Sequence, residues 1–317
     1  MSVRVGLVGA GGVGARHARV LQGMQDVELV GIADPVPAAA QALAGGLDVP
    51  VRTTAELLAA GLDGVWLCVP PFAHGELERQ VVEAGVPFFV EKPLAADLAV
   101  AEEVAALVAS AGLPTATGYH WRHLDTVATA RAGLAGRTPR LVAARWWGTT
   151  PPPAWWSDGA RSGGQLVEQA THVLDLVRVL AGEVDEVVGG SAVSTREGRD
   201  VPDATAAVLR MASGAVGSVS TSCVLPVLTA AGLEVVADDL VLQLTETSLS
   251  VRTREGEEQH TPAVDAREAV DRAFVDVLAG GAAAGGLVDV AEALRTHRLA
   301  WALAEATRTG STVRVAP

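Results

Sequence analysis

The 317-residue chain is long enough for about two domains, and 49% hydrophobic residues with a mean hydropathy of +0.30 supply a core for a chain expected to be globular throughout. A net charge of −13 and a pI near 5.0 offer no basic face for nucleic acid or an anionic membrane, so the expected partner is a small molecule. The two cysteines, Cys68 and Cys223, sit in apolar runs without metal-ligand or disulfide spacing and read as buried thiols in a reducing compartment.

At the N-terminus, Met-Ser-Val-Arg-Val-Gly leads directly into a strand-like segment, with no cleavable leader pattern, and no apolar run is long enough to span a bilayer. The expected location is the cytoplasm. From residue 3 to about 119 the runs VRVGLV, ELVGIAD, GVWLCV, VPFFVEK and PTATGY alternate with Ala-rich segments of helical spacing, the pattern of βαβ units and a parallel sheet. After residue 120, RLVAARWWG, ATAAVLRM, GAVGSVSTSC and LVLQL are strand-like with little room for helices between them, which predicts an antiparallel sheet. Helices are expected at about 165–181, 267–279 and 287–308, and GGAAAGG at 280–286 reads as a flexible connection. The expected fold class is an α/β Rossmann domain with a doubly wound parallel sheet over 1–120, followed by an α+β domain with a large, mainly antiparallel open sheet over 121–317.

VRVGLVGAGGVG places Gly9, Gly11 and Gly14 in G-x-G-x-x-G spacing between a strand and a helix. The first glycine permits the turn, the second lets backbone approach a pyrophosphate, and the third allows close helix packing. The helix N-terminus adds N–H donors and a positive dipole end. Asp34 ends the second strand, where a carboxylate accepts a ribose 2′-hydroxyl and repels a 2′-phosphate, so NAD is favoured over NADP. Val69-Pro70-Pro71, counted as the end of a fourth strand, lies at the carboxyl edge where such sheets bind ligands. His74 follows at a helix start and reads equally as a local cap or a cofactor contact.

Lys92 is the only lysine beside 23 arginines. Codon bias explains the scarcity; a site that needs a compact, titratable ammonium explains the survivor. On one helix over 165–181, Glu168, His172 and Asp175 fall at i, i+4 and i+7 on a stripe opposite Leu166, Ala170, Val173, Val177 and Leu180. That pattern fits a solvated face as well as a catalytic one. Five of the seven tryptophans, Trp121, Trp146, Trp147, Trp155 and Trp156, cluster around Pro151-Pro152-Pro153. They suit a sugar pocket, and also a core or a subunit interface. Arg122 and Arg161 read as ligand-binding or surface residues, and Glu168, His172, Asp175, His120 and His123 offer mixed donors without a strong metal-binding spacing, so no metal is expected.

With GLVGAGGVGARHARVL, Glu91-Lys92-Pro93 after the strand counted as fifth, Gly118-Tyr119-His120-Trp121-Arg122 and GGQLVEQATHVLDLVRVLAG at 163–182, the chain resembles the Gfo/Idh/MocA family, named for glucose-fructose oxidoreductase, inositol dehydrogenase and a rhizopine-catabolism protein. The resemblance covers nearly the whole chain. It implies that Lys92 lies beside nicotinamide and substrate and that Glu168 and His172 complete the catalytic group. The expected cofactor residues are Gly9, Gly11, Gly12, Val13, Gly14, Asp34, Val69, Pro70, His74, Glu91 and Lys92, and the expected substrate residues are His120, Arg122, Trp155, Trp156, Glu168 and His172. Glu168 stands where the family commonly has Asp, and His120 where it often has Asn. A homodimer or homotetramer is implied as well.

The expected function is an NAD-dependent oxidoreductase acting on a sugar, inositol or related polyol. The substrate hydroxyl is expected between Lys92 and His172: either Lys92 relays its proton to His172, or Lys92 only polarises the oxygen while His172 takes the proton directly. The alternatives are a non-catalytic NAD or sugar sensor, against which the intact Lys92, Glu168 and His172 count, and an enzyme that uses tightly held NAD for internal redox.

Overall fold

The computed structural model describes residues 2–282 and 286–316; the expected connection at 280–286 lies partly outside the described residues. The chain forms two compact units. One comprises residues 1–95, 99–120 and 266–294, the other 96–98, 121–265 and 295–317. A contiguous division at residue 120 assigns 266–294 to the second domain; the structure gives these residues to the first.

Through residue 120 the elements are β1 (Val3–Val8), α1 (Gly12–Gly23), β2 (Val27–Ala33), α2 (Pro37–Leu47), α3 (Thr54–Leu58), β3 (Gly64–Leu67), α4 (Glu76–Glu83), β4 (Phe88–Val90), α5 (Leu98–Ala111) and β5 (Thr115–Thr117). All five strands pair in parallel in the order β2-β1-β3-β4-β5, so the strand order reverses between β1 and β3, the place at whose carboxyl ends such sheets bind ligands. Val69-Pro70-Pro71 and Glu91-Lys92-Pro93 thus follow the third and fourth strands rather than the fourth and fifth. Buried on both faces, the strands read as continuous apolar runs: Val5, Leu7, Ile32, Trp66 and Phe89 are fully buried. Onto this sheet packs α10 (Ala266–Leu278), whose Phe274 meets Trp66 edge-on at 5.3 Å while Trp66 stacks on Phe89 at 5.7 Å.

The second unit holds α6 (Asp125–Leu134), β6 (Pro139–Trp147), α7 (Gly159–Ser162), α8 (Gly164–Glu168), α9 (Thr171–Ala181), β7 (Val184–Val193), β8 (Ala204–Met211), β9 (Val216–Ser222), β10 (Ala230–Ala237), β11 (Leu240–Thr245), β12 (Leu249–Thr253) and β13 (Gly256–His260). After α11 (Val290–Thr309), the short β14 (Val313–Arg314) completes a nine-stranded sheet ordered β13-β12-β11-β10-β6-β9-β8-β7-β14. Every pairing is antiparallel except β6 with β9. One sheet face buries Val142, Leu209, Val219, Leu233, Val235 and Leu242, with α9 packed against β6 and β10. Alternate positions on the other face are open, as the two-residue strand period requires. No helix among the described residues is long and apolar enough to cross a membrane.

The helix expected over 165–181 is two helices. Ala170 N–H reaches back five residues to Gln165 C=O at 2.9 Å, and this wider turn separates α8 from α9. Glu168 therefore ends one helix and His172 lies in the first turn of the next, so the stripe with Asp175 is not one continuous face. Nor is it solvated: His172 and Asp175 are 6% and 1% exposed.

Candidate active site

In the first unit, Gly9 turns the chain after β1 at φ +102°. A Cβ there would collide with the Cys68 carbonyl, and one on Gly14 with the Gly9 carbonyl, so both positions exclude side chains. Gly11 and Gly12 instead face open space, with nothing within 4 Å of a Cβ position. Gly11 caps the 12-residue α1 without any side-chain hydrogen bond, and Gly11, Gly12 and Val13 are exposed. Uncapped N–H groups at an open helix start fit the pyrophosphate of a dinucleotide.

Asp34 follows β2 and accepts the Ala10 N–H through Oδ2 and the Val36 N–H through Oδ1, both at 2.7 Å. It ties the glycine turn to the end of β2, and each oxygen keeps lone-pair capacity for a ribose hydroxyl. Val69 and Pro70 are half-buried just beyond β3. His74 is buried, its Nδ1 2.6 Å from Glu78 Oε1, while Glu78 Oε2 accepts the Gly75 N–H at 2.6 Å. These bonds form a local cap at the start of α4 through Nδ1.

Glu91 donates its N–H to Leu67 C=O at 3.0 Å, and half-buried Lys92 follows at the carboxyl edge of the sheet. The Glu91 carboxylate lies 2.9 Å from His17 Nε2, and His17 Nδ1 lies 2.7 and 2.8 Å from the Asp271 oxygens. Trp66 Nε1 donates to Asp271 Oδ1 at 2.8 Å. Burial alone would lower the His17 pKa, but the charge and hydrogen bond of Asp271, and then of Glu91, push it up to about 9. Burial would raise Glu91; its bond to His17 and the charges of His17, Lys92 and Arg16 outweigh this and hold it below the usual carboxylate range. Sequence reasoning passed over His17 and Asp271, which lie 254 positions apart. The one available signal was a histidine three residues after Gly14. His120, buried, ends the middle segment of this unit.

In the second unit, Trp156 is 1% exposed, packs with Val201 and Cys223, and donates its indole N–H to Glu168 Oε2 at 2.8 Å. Trp155 is half-buried beside this cluster, whereas Arg161 is exposed. The His172 ring lies nearly parallel to Trp121 (centroids 5.9 Å apart, 10°) and Trp146 (6.2 Å, 25°). One turn on, Asp175 takes a two-pronged bond from Arg122 at 2.7 and 2.6 Å and a third from Thr296 Oγ1 at 2.9 Å. The turn carrying Trp121 and Arg122 thus touches α9 at both His172 and Asp175. Asp175 is committed to Arg122, and among the described residues no group of three or more His, Cys, Asp or Glu could hold a metal ion. Both cysteines are free and buried. A cavity of about 460 Å³ in this unit, lined by Gly163, Gln165, Asp200, Trp301 and Arg308 among others, includes none of the expected site residues.

Two family models match the chain: one described as an oxidoreductase family with an NAD-binding Rossmann fold over residues 3–119, the other as the Gfo/Idh/MocA C-terminal domain over 129–242. The chain is 33% identical to the myo-inositol dehydrogenase Hyg17 of Streptomyces leeuwenhoekii over 99% of both chains. It is 31% identical to an inositol 2-dehydrogenase of Rhizobium meliloti over 70% of this chain and 69% of that one. The WlbA dehydrogenase of Bordetella pertussis, solved with NADH and UDP-GlcNAcA, shares the fold at a TM-score of 0.88 and 21% identity, covering 100% of this chain and 98% of that one.

Proposed function

Because this chain belongs to the Gfo/Idh/MocA family of NAD-binding oxidoreductases, we propose that it is an NAD-dependent dehydrogenase or reductase of an inositol, or of a closely related polyol or sugar. The observation that carries this reading is that one chain holds both an open, uncapped glycine turn and an intact set of Lys92, Glu168 and His172. The inositol substrate class is supported by the names of the two relatives matched above 30% identity.

Bound NAD supplies a hydride acceptor. In the oxidative direction His172 takes the hydroxyl proton, directly or through Lys92, and the Lys92 ammonium stabilises negative charge on the substrate oxygen. Glu168, held by Trp156, orients His172 or accepts a neighbouring substrate hydroxyl. His120, Arg122 and half-buried Trp155 are assigned to the substrate side; Trp156, being buried, acts through Glu168. The Asp34 carboxylate disfavours a 2′-phosphate and sets the preference for NAD over NADP.

On the outer sheet face, Leu141, Val208 and Val216 are 43, 51 and 52% exposed, and we assign that face to pairing between copies of the chain. Light scattering at micromolar concentration tests it, and a monomer sinks it.

The deciding experiment follows NADH absorbance across inositols, aldoses and their keto forms with NAD and NADP, for the wild type and Lys92→Met. Turnover with at least one polyol, and a loss of about a thousandfold or more in the variant with NAD affinity nearly kept, supports the reading. Tight NAD binding without reduction by any polyol reassigns the protein as a sensor; a variant with near-normal turnover removes Lys92 from the mechanism.

A further inference from the structure

The first unit buries three ionisable groups in a row. His17 is 1% exposed, Asp271 0% and Glu91 6%. Both imidazole nitrogens face carboxylates within hydrogen-bond distance, so the ring donates at both and is an imidazolium. The three residues come from three places: α1 behind the glycine turn, the end of β4, and α10. Trp66, inside the sheet, donates to the same Asp271.

Such an arrangement costs desolvation at every member, and apolar residues of the same volume would stabilise the fold about as well. What it supplies is geometry. Glu91 is held on one side by His17, and on another it lies against Gly118, where a Cβ would clash with its carboxylate. With its side chain fixed in this way and its N–H bonded to Leu67, Glu91 has little freedom, and Lys92 is the next residue.

We propose that the Asp271–His17–Glu91 chain is a positioning device that locks the end of β4 and so sets the place and reach of the Lys92 ammonium relative to the glycine turn. His17 and Asp271 touch neither substrate nor cofactor in this role; they act on the reaction through Lys92. The proposal rests on the reading of Lys92 as the group that meets the reacting oxygen, but its effect on Lys92 is measurable without any substrate.

The only lysine in the chain makes that measurement direct. Acetic anhydride labelling at pH 8, followed by mass spectrometry of the peptide containing Lys92, gives its reactivity in the wild type, His17→Gln and Asp271→Asn, each assayed well below its own melting transition. Release of Glu91 is expected to change the Lys92 labelling rate by about threefold or more, and to lower kcat by about 10- to 100-fold with KM for NAD little changed. In a Lys92→Met background, His17→Gln is expected to cost no further turnover, because both changes act through one group. If either variant fails to fold, Trp66→Phe removes the indole donor to Asp271, with some loss of ring volume between Phe89 and Phe274, and its labelling rate is read the same way.

Labelling rates within about twofold of the wild type in every folded variant overturn the proposal, whatever happens to their stability. The two readings fail separately. Normal turnover in Lys92→Met removes the catalytic role of Lys92, while the labelling rate still reports whether His17 and Asp271 hold it.

Discussion

Trp156 donates its indole N–H to Oε2 of Glu168 at 2.8 Å from a position that is itself 1% exposed. A buried tryptophan thereby fixes the rotamer of the one acidic side chain assigned to the catalytic group. A hydrogen bond to a charged acceptor contributes about 1.5–3 kcal/mol. Trp156→Phe keeps most of the packing and removes the donor. It is expected to lower kcat/KM by about 10- to 100-fold with a smaller effect on NAD affinity, read by steady-state kinetics beside a cofactor titration. Unchanged kcat/KM would mean that Glu168 needs no such support.

The Arg122–Asp175 pair makes a prediction about stability. Asp175 is 1% exposed and the Arg122 side chain 13%, and the bond is two-pronged. Arg122→Met leaves the buried Asp175 carboxylate with the Thr296 hydrogen bond and with Arg178 at 4.0 Å, and the expected loss is about 1–3 kcal/mol in denaturant unfolding. A single variant that unfolds at the wild-type midpoint would contradict this.

Gly118 is required by contact rather than by a positive φ, since the Glu91 carboxylate lies against it. Gly118→Ala must push that carboxylate away from His17. The expected result is a loss of about tenfold or more in kcat with a protein that still binds NAD, checked by kinetics and by NADH fluorescence.

The His17 imidazolium makes stability depend on pH. Its pKa rises from 6.5 to about 9 on folding, under the charges of Asp271 and Glu91, with Arg16 and Lys92 also near Glu91. A raised pKa means that the folded state binds the proton more tightly. The contribution is full below pH 6.5, declines as the pH rises towards 9, and is lost above it. Its size is on the order of 3 kcal/mol. Melting temperatures between pH 6 and 10 are expected to fall for the wild type and to lack this slope in His17→Gln; parallel curves would show that the ring is neutral in the folded protein.

Much of this protein was legible in the sequence because the signals are local. Strands buried on both faces appear as apolar runs, so VRVGLV, ELVGIA and GVWL announced the parallel sheet, and the spacing of Gly9, Gly11 and Gly14 announced the turn that follows it. ATAAVLRM and LVLQL, strand-like with little room for helices between them, announced the mainly antiparallel sheet. The Glu91-Lys92-Pro93 motif was visible, and so was its place at the end of a strand.

What local pattern could not carry was decided by the tertiary structure. A single added residue in the turn at 169–170 breaks the helix between Glu168 and His172, and periodicity has no term for a five-residue hydrogen bond inside an otherwise helical stretch. Residues 266–294 join the first unit because Phe274 finds Trp66 and Phe89, a contact across some two hundred positions that no window of sequence contains. The same return brings Asp271 to His17, and two residues that read separately as a helical histidine and a helical acid become a buried ion pair behind Lys92. Sequence determined which groups the chain carries and in what order; only packing, by excluding water and forcing each buried charge to find a partner, decided which of them act on one another.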